Sequence, residues 1–220
     1  MTTLYDTTVK CPNCRTLNTV YMIGSTNSFG AGDLDTRPAE MARSTIMYGV
    51  ESCSKCGLAA GRLEGVGTSS LEYFRSYDFK KKHESEKFKD LAKNYWTAFL
   101  LSLNAGEHQE ALYHILRAAW VCDDRREAGA AKRAREILID TLRDLKEDPS
   151  YLTPGQPVAG YLMLADITRR TRRFNEAKML AQHVKDNEDG FIGGLAQLEI
   201  ELCEKKETAC YTMEGIKRLV

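Results

Sequence analysis

A chain of 220 residues, 43% hydrophobic and 28% charged, has room for one medium domain or for a small one beside a larger one. Its composition excludes the disordered and membrane-embedded classes. Lys+Arg and Asp+Glu both count 31, and residues 1–66 balance at six and six. Neither part therefore carries the basic excess from which nucleic-acid binders draw sequence-independent affinity. No apolar run approaches the roughly 20 residues that cross a bilayer, so no membrane role is expected. Met1-Thr2-Thr3-Leu4-Tyr5-Asp6 lacks the basic start and apolar core of a signal peptide. The 7 cysteines are odd in number, which fits a reducing compartment. A cytoplasmic protein is expected.

The first quarter of the chain carries its strongest chemical signal. Cys11-Pro12-Asn13-Cys14 and Cys53-Ser54-Lys55-Cys56-Gly57 are two C-x-x-C turns, each placing two thiols on one tight loop. Together they supply four soft sulfurs, enough to close a tetrahedral structural zinc shell with no open position. Iron is the minor alternative in the same sulfur geometry. A dithiol redox centre would need a thioredoxin-like βαβ context, which is missing. Thr19-Val20-Tyr21-Met22-Ile23 follows the first turn and Thr45-Ile46-Met47-Tyr48-Gly49-Val50-Glu51 leads into the second. Both are strand-length and rich in β-branched and aromatic residues. Residues 1–66 thus read as a zinc-ribbon-like β module.

Between the two turns lies a long loop, since 38 residues separate Cys14 from Cys53. Within it, Asp33, Asp35 and Arg37 form the most enzyme-like group of the chain. Two carboxylates beside an arginine can bind a cation or orient a polar ligand. The plainer reading is that the aspartates bond their own loop's amides and Arg37 pairs with one of them, pinning the loop. That reading is preferred.

Residues 67–85 read as a linker, with Gly65 just before it and Gly67 at its start breaking regularity, Thr68-Ser69-Ser70 able to cap a short helix, and Lys80-Lys81-Lys82-His83 as an exposed stretch. From residue 86 to 220 the apolar period becomes 3.6. Phe88, Leu91, Ala92, Tyr95, Phe99 and Leu103 share a helix face that stops near Gly106. A second helix opens near His108 with Leu112, Ile115, Leu116 and Trp120, and a third is alanine-rich from Ala131 to Leu145. Pro154-Gly155-Gln156-Pro157 is a clear break. A helix containing Tyr161, Leu164 and Ile167 follows, then a turn at Arg172–Asn175, a partner helix through Val184, and a last helix through Cys203. Arg169-Arg170 and Arg172-Arg173, with acidic neighbours, read as a solvated helix end rather than an RNA site. Trp96 and Trp120 fit packing, and His114 is expected to pack rather than ligate.

Gly106-Glu107-His108-Gln109-Glu110-Ala111-Leu112 and Arg172-Arg173-Phe174-Asn175-Glu176-Ala177-Lys178 both resemble the turn of a tetratricopeptide repeat, where a short loop leads to Glu-Ala. Val184 replaces the second small residue in the later copy, and neither copy has the terminal proline. An unrelated helical bundle is the competing reading.

The motifs as a set go further. Val9-Lys10-Cys11-Pro12-Asn13-Cys14, Ser25-Thr26-Asn27-Ser28-Phe29-Gly30, Asp33-Leu34-Asp35-Thr36-Arg37-Pro38 and Cys53-Ser54-Lys55-Cys56-Gly57-Leu58-Ala59 resemble the prokaryotic domain-of-unknown-function family 2225. That family joins a paired C-x-x-C N-terminal region to tetratricopeptide-like helices. The resemblance implies metal binding and a helical scaffold, with no known activity. Arg15, where family turns commonly have glycine, and Ser54, where a second Cys-Pro is usual, are departures.

The expectation is an α+β, mostly α protein, with a zinc-ribbon-like module followed by tetratricopeptide-like helical hairpins. Its metal ligands would be Cys11, Cys14, Cys53 and Cys56, with no catalytic residues. It would act as an adaptor that takes a protein or peptide on its helical surface. The rivals are a zinc-ribbon nucleic-acid binder, disfavoured by charge, and an enzyme or ligand sensor centred on Asp33, Asp35 and Arg37.

Overall fold

The structure is a computed structural model and describes residues 1–218. It is 55% helix and 13% strand, with small antiparallel sheets near the N-terminus followed by helices. Six strands come first: β1 (Thr3–Lys10), β2 (Leu17–Ser25), β3 (Ser28–Phe29), β4 (Glu40–Met41), β5 (Glu51–Ser52) and β6 (Ala59–Ala60). They pair only as β1–β2, β3–β4 and β5–β6. Eight α-helices follow: α1 (Thr68–Arg75), α2 (Tyr77–Ser85), α3 (Asp90–Asn104), α4 (His108–Asp124), α5 (Ala128–Asp144), α6 (Pro157–Arg170), α7 (Phe174–Lys185) and α8 (Gly190–Glu204). No helix among the described residues is long and apolar enough to cross a membrane.

These elements form two compact units that do not follow chain order. The first takes Met1–Phe29 and Glu40–Arg125; the second takes Gly30–Ala39 and the chain from Arg126 onward. The β3–β4 pair, Ser28 opposite Met41 and Phe29 opposite Glu40, closes the base of the segment that leaves for the second unit.

In the first unit the β1–β2 hairpin runs in register from Leu4 opposite Ile23 to Lys10 opposite Leu17. β1 carries too few apolar residues in alternation to have been read as a strand. Its single buried residue is Val9, next to the first cysteine turn. The strand expected over Thr45–Glu51 is instead a 3₁₀ helix at Arg43–Tyr48, followed only by the short β5. The reason is local: the Ser44 and Thr45 hydroxyls donate to the carbonyls of Met41 and Ala42 at 2.8 and 2.7 Å. Such bonds hold the backbone in a turn against its β-branched propensity. Residues 68–85 carry two short helices, the second capped by the Ser76 hydroxyl accepting from the Phe79 amide at 3.1 Å. α3 packs on α4 through Ala92, Tyr95, Phe99, Leu112, Ile115 and Leu116, all buried. The small residue Ala92 and those on α4, Ala111, Ala118 and Ala119, keep these helices close. Trp96 stacks on Phe99 with ring centroids 5.1 Å apart, as its place on the apolar face predicts.

In the second unit α6, α7 and α8 pack in succession. Leu162, Val184, Leu195, Ala196 and Leu202 form their core, and Leu34 of the inserted segment is buried among them. Successive helices end on the same device. After α3, α4, α5, α6 and α8 the residue past the cap has positive φ, at Gly106 (77°), Arg126 (59°), Lys146 (58°), Arg172 (71°) and Lys206 (51°). After α3 and α5 the amide of the next residue returns to a carbonyl of the last turn, Glu107 to Ser102 and Glu147 to Leu142. Four of these left-handed positions hold lysine or arginine, where glycine is the usual signal.

The arginine cluster corrects an expectation. Arg172 and Arg173 reach solvent, but Arg169 is fully buried and the side chain of Arg170 nearly so. Arg169 pairs through Nε with Glu199 at 2.8 Å and through Nη2 with Asp166, and donates from Nη1 to the carbonyls of Glu207 and Ala209. One turn of α6 puts Asp166 beside Arg169, and the polar face buried here is invisible to a count of local charges. Burial pushes the carboxyls of both Asp166 and Glu199 up, Glu199 to about 8, against the opposing pull of Arg169. Both acids face Arg169, while Arg170 and Arg135 also act on Asp166, so the raised carboxyl of Glu199 is the one whose proton release is held back.

A carboxyl raised on folding makes the folded state bind more protons between the ordinary carboxylate range and about pH 8. Stability is therefore present in full at low pH and lost as pH rises through that window. Melting temperature should fall between about pH 5 and 8 in wild type and fall less in Glu199→Gln, whose amide mimics the protonated acid. Parallel melting curves across this range for the two proteins would refute the assignment.

Candidate metal centre

The two cysteine turns are built alike. In the first, the Arg15 amide donates to the Cys11 carbonyl at 2.9 Å and the Cys11 amide to the Thr16 carbonyl at 2.8 Å. In the second, the Gly57 amide donates to the Cys53 carbonyl at 3.0 Å and the Cys53 amide to the Leu58 carbonyl at 2.8 Å. Both turns need a left-handed residue after the second cysteine, at φ 65° for Arg15 and 74° for Gly57. Glycine meets that without a steric penalty; arginine does not. The β1–β2 hairpin carries the first turn at its closed end, and the β5–β6 pair carries the second.

The four sulfurs come together. Cys11, Cys14, Cys53 and Cys56 each offer a sulfur within 4.8 Å of all the others. Two of the approaches run between turns, Cys11 to Cys56 at 3.7 Å and Cys14 to Cys53 at 3.4 Å. A Zn–S bond of about 2.3 Å sets the edge of a tetrahedral sulfur shell at about 3.8 Å, so the cluster fits one such ion. None of the four is in a disulfide. Cys11 and Cys53 are buried, while Cys14 and Cys56 are half-buried. No other group of three or more potential ligands is gathered among the described residues. The four histidines contribute nothing to it.

Four thiols this close cannot all ionise without a cation. Burial pushes Cys11 up to about 12 and raises Cys56. Cys14 is lowered to about 6 by the hydroxyl and amide of Thr16, the hydroxyl lying 3.3 Å from its sulfur. Cys53, opposed by burial, is lowered by the amides of Cys56 and Lys55. Each turn thus holds one thiol shifted down and one shifted up. A divalent ion would remove the difference.

Asn18, which the sequence reading passed over, ties the two turns together. Its side chain is buried, donates to the Thr16 carbonyl at 3.0 Å, and accepts from the Ser54 amide and hydroxyl at 3.0 and 3.1 Å. The signal was available, since asparagine is depleted in strands and here sits beside Leu17 and Thr19. Glu51 does similar work, its carboxylate accepting from the Leu63 amide at 2.8 Å. Asn13 accepts from Arg75 of α1 at 2.8 Å, holding the first turn to a helix.

Asp33, Asp35 and Arg37 lie in the other unit and take no part in the cysteine cluster. Asp35 is fully buried; its Oδ2 lies 3.2 Å from Arg170 and 3.6 Å from Arg135, and its Oδ1 accepts from the Arg37 amide at 3.4 Å. Asp33 pairs with Arg218 at 2.6 Å and bridges Thr212. The Leu34 amide donates to the Tyr211 carbonyl and the Met213 amide to the Gly32 carbonyl, both at 2.9 Å. The loop is therefore pinned, in part by the own-loop bond from the Arg37 amide to Asp35 that the plainer reading held, but its other clamps come from residues 100 to 185 positions away, which no local pattern reveals.

Removing the Asp35 charge leaves two buried guanidiniums short of a partner. Asp35→Asn should lower stability by about 3 kcal/mol, the scale of a broken buried pair. Metal content at a temperature where the variant remains folded should match wild type, since the cysteines lie in the other unit. A variant as stable as wild type would show that Asp35 is held for something other than structure.

No family model matches this chain, and no curated protein and no solved structure matches it either.

Proposed function

We propose that Cys11, Cys14, Cys53 and Cys56 hold one structural zinc ion and that the chain serves as a protein-binding adaptor. The observation that carries the metal reading is the sulfur cluster itself, four thiols all within 4.8 Å of one another, with no further potential ligand gathered to them among the described residues. Zinc is preferred over iron because nothing in the first unit calls for redox chemistry, and a filled four-sulfur shell leaves no position for substrate. In this reading the first 60 or so residues descend from the paired-turn family 2225, and the left-handed Arg15 is a tolerated departure.

The adaptor reading rests on the second unit. Its helices succeed one another through short capped turns, the arrangement from which stacked hairpins make a binding face. Met179 of α7 and Phe191 of α8 stand 75% and 66% exposed, a large apolar side chain on each of two neighbouring helices. Charge balance gives nucleic acid little to draw on. The complete burial of Asp35 argues against a ligand site centred on Asp33, Asp35 and Arg37.

The purified protein should contain about one zinc per chain by elemental analysis. Cys53→Ser should lose most of it and loosen the region around β1, β2, β5 and β6 in hydrogen exchange, while α6, α7 and α8 keep their protection. Protein prepared without oxygen that carries no metal would end the zinc reading. For the adaptor, a protein captured by wild type should be lost on Met179→Glu with Phe191→Glu, in a variant that keeps its zinc and its melting curve. Capture unaffected by that pair would move the binding face elsewhere.

A further inference from the structure

A cavity of about 700 Å³ opens within the first unit, apart from the cysteines. Its size is that of small-molecule sites. One wall comes from the glycine-rich run of residues 61–67, of which Gly61, Arg62, Gly65, Val66 and Gly67 border the cavity, and the run leads straight into α1. Gly67 is the N-cap of that helix and no side chain caps it. The amides of its first turn thus have no side-chain cap, and Gly67, Ser69 and Ser70 all border the cavity. Space around Gly65 and Gly67 is open, with no atom within 4 Å of where a Cβ would stand.

The opposite wall is one face of α4. Glu110, His114 and Arg117 follow at spacings of four and three, so they line up along the helix and all border the cavity. Glu107, at the head of the same helix, joins them. Arg117 lies over the Tyr113 ring at 5.9 Å, and Arg62 touches only the Met22 sulfur at 3.2 Å. Neither arginine pairs with a carboxylate among the described residues, although both glutamates border the same space.

A second observation is independent of helix ends and charges. His114 is 1% exposed, and its Nδ1 has no hydrogen-bond partner. The ring edge carrying Cε1 and Nε2 faces Gly61, 3.7 and 3.8 Å from where a Cβ would be. A buried imidazole without a partner is destabilising unless something else supplies one. Burial, then the charge of Arg117, lowers it to about 4, so it is neutral at pH 7 and offers one donor and one acceptor.

We propose that this cavity binds a phosphate ester of a hydroxyl-rich small molecule, such as a sugar phosphate or nucleotide. The phosphate sits at the head of α1 between Arg62 and Arg117, where free amides, hydroxyls and two guanidiniums converge. The hydroxyls of the ligand donate to Glu107 and Glu110 and meet the polar edge of His114. The two glutamates explain why a bare anion is not the preferred occupant: they repel it, and only a ligand carrying donors turns them to advantage.

The test uses the zinc-loaded full chain and titration calorimetry at physiological salt. Probes are ribose 5-phosphate, adenosine monophosphate, ribose, inorganic phosphate and gluconate. At least one phosphate ester should bind at least tenfold more tightly than inorganic phosphate, gluconate or ribose. Arg117→Gln should weaken that ester by tenfold or more with zinc content and melting curve unchanged. Arg62→Gln, on the exposed side, provides the same test should the first variant fold poorly. Gly61→Val, which fills the space before His114, should also abolish binding. The proposal is overturned if neither ester binds, if inorganic phosphate or gluconate binds as well as the esters, or if both arginine variants bind the ester like wild type. Because zinc content is read in the same samples, failure here is separable from failure of the metal reading.

Discussion

The pairing of Asp35 with Arg135 and Arg170 is the constraint on which the arrangement of this chain turns. Those residues belong to a loop and to two helices far along the sequence, and the carboxylate has no exposure at all. Ordering the ten residues of Gly30–Ala39 costs on the order of 10 kcal/mol in backbone entropy. Burial of Leu34, the bridge at Asp33 and the hydrogen bonds to Tyr211 and Met213 offset that, but they are available only where the Asp35 charge is already compensated. A single uncompensated carboxylate at that depth would expel the loop. Once the loop is held, the chain is bound to cross between the two units three times, at 29/30, 39/40 and 125/126.

β1, β2, β5 and β6 share a small core of Val9, Cys11, Val20, Val50, Cys53, Leu58 and Leu63. This is little apolar material for two hairpins and two tight turns, and much of β1 and β2 faces water. Regions with so small a core generally need a covalent or metal staple. The polar ties at Asn18, Glu51 and Asn13 orient the turns but do not enlarge the core. They act as supporting bonds that place four thiols at shell distance, the role that second partners play around metal ligands.

The sequence was legible where the physics is local. A C-x-x-C turn is a short-range statement, and both turns formed with their sulfurs gathered. The helices of period 3.6 lie close to where the apolar residues place them: α4 opens at His108 as expected, while α7 begins at Phe174, inside the turn expected over Arg172–Asn175. What could not be read is mostly long-range or stereochemical. Thr45–Glu51 looked like a strand because propensity cannot see two hydroxyls closing on carbonyls three residues back. Lys146 and Lys206 end helices in a conformation normally announced by glycine. Arg169 looked solvated because its partners, Glu199 and the carbonyls of Glu207 and Ala209, come from the end of the chain. The Asp33–Arg37 group was rightly suspected of pinning its loop, yet the clamps were invisible from the loop itself.

Buried polar groups in this protein fall into two kinds, and the difference carries information. Asp33, Asp35, Asn18, Glu51 and Arg169 are deep and each is answered by a named neighbour, so burial there is a structural expense already met within the fold. His114 is as deep as any of them, and its Nδ1 is answered by nothing. It also stands in the face of α4 that borders open volume, with two arginines and two glutamates that leave one another unpaired across the same space. Folding alone gives no reason to keep five polar side chains around a cavity when α3 and α4 elsewhere close their interface with alanine, leucine and aromatic rings. A site that stays open and polar is better explained by something that enters it.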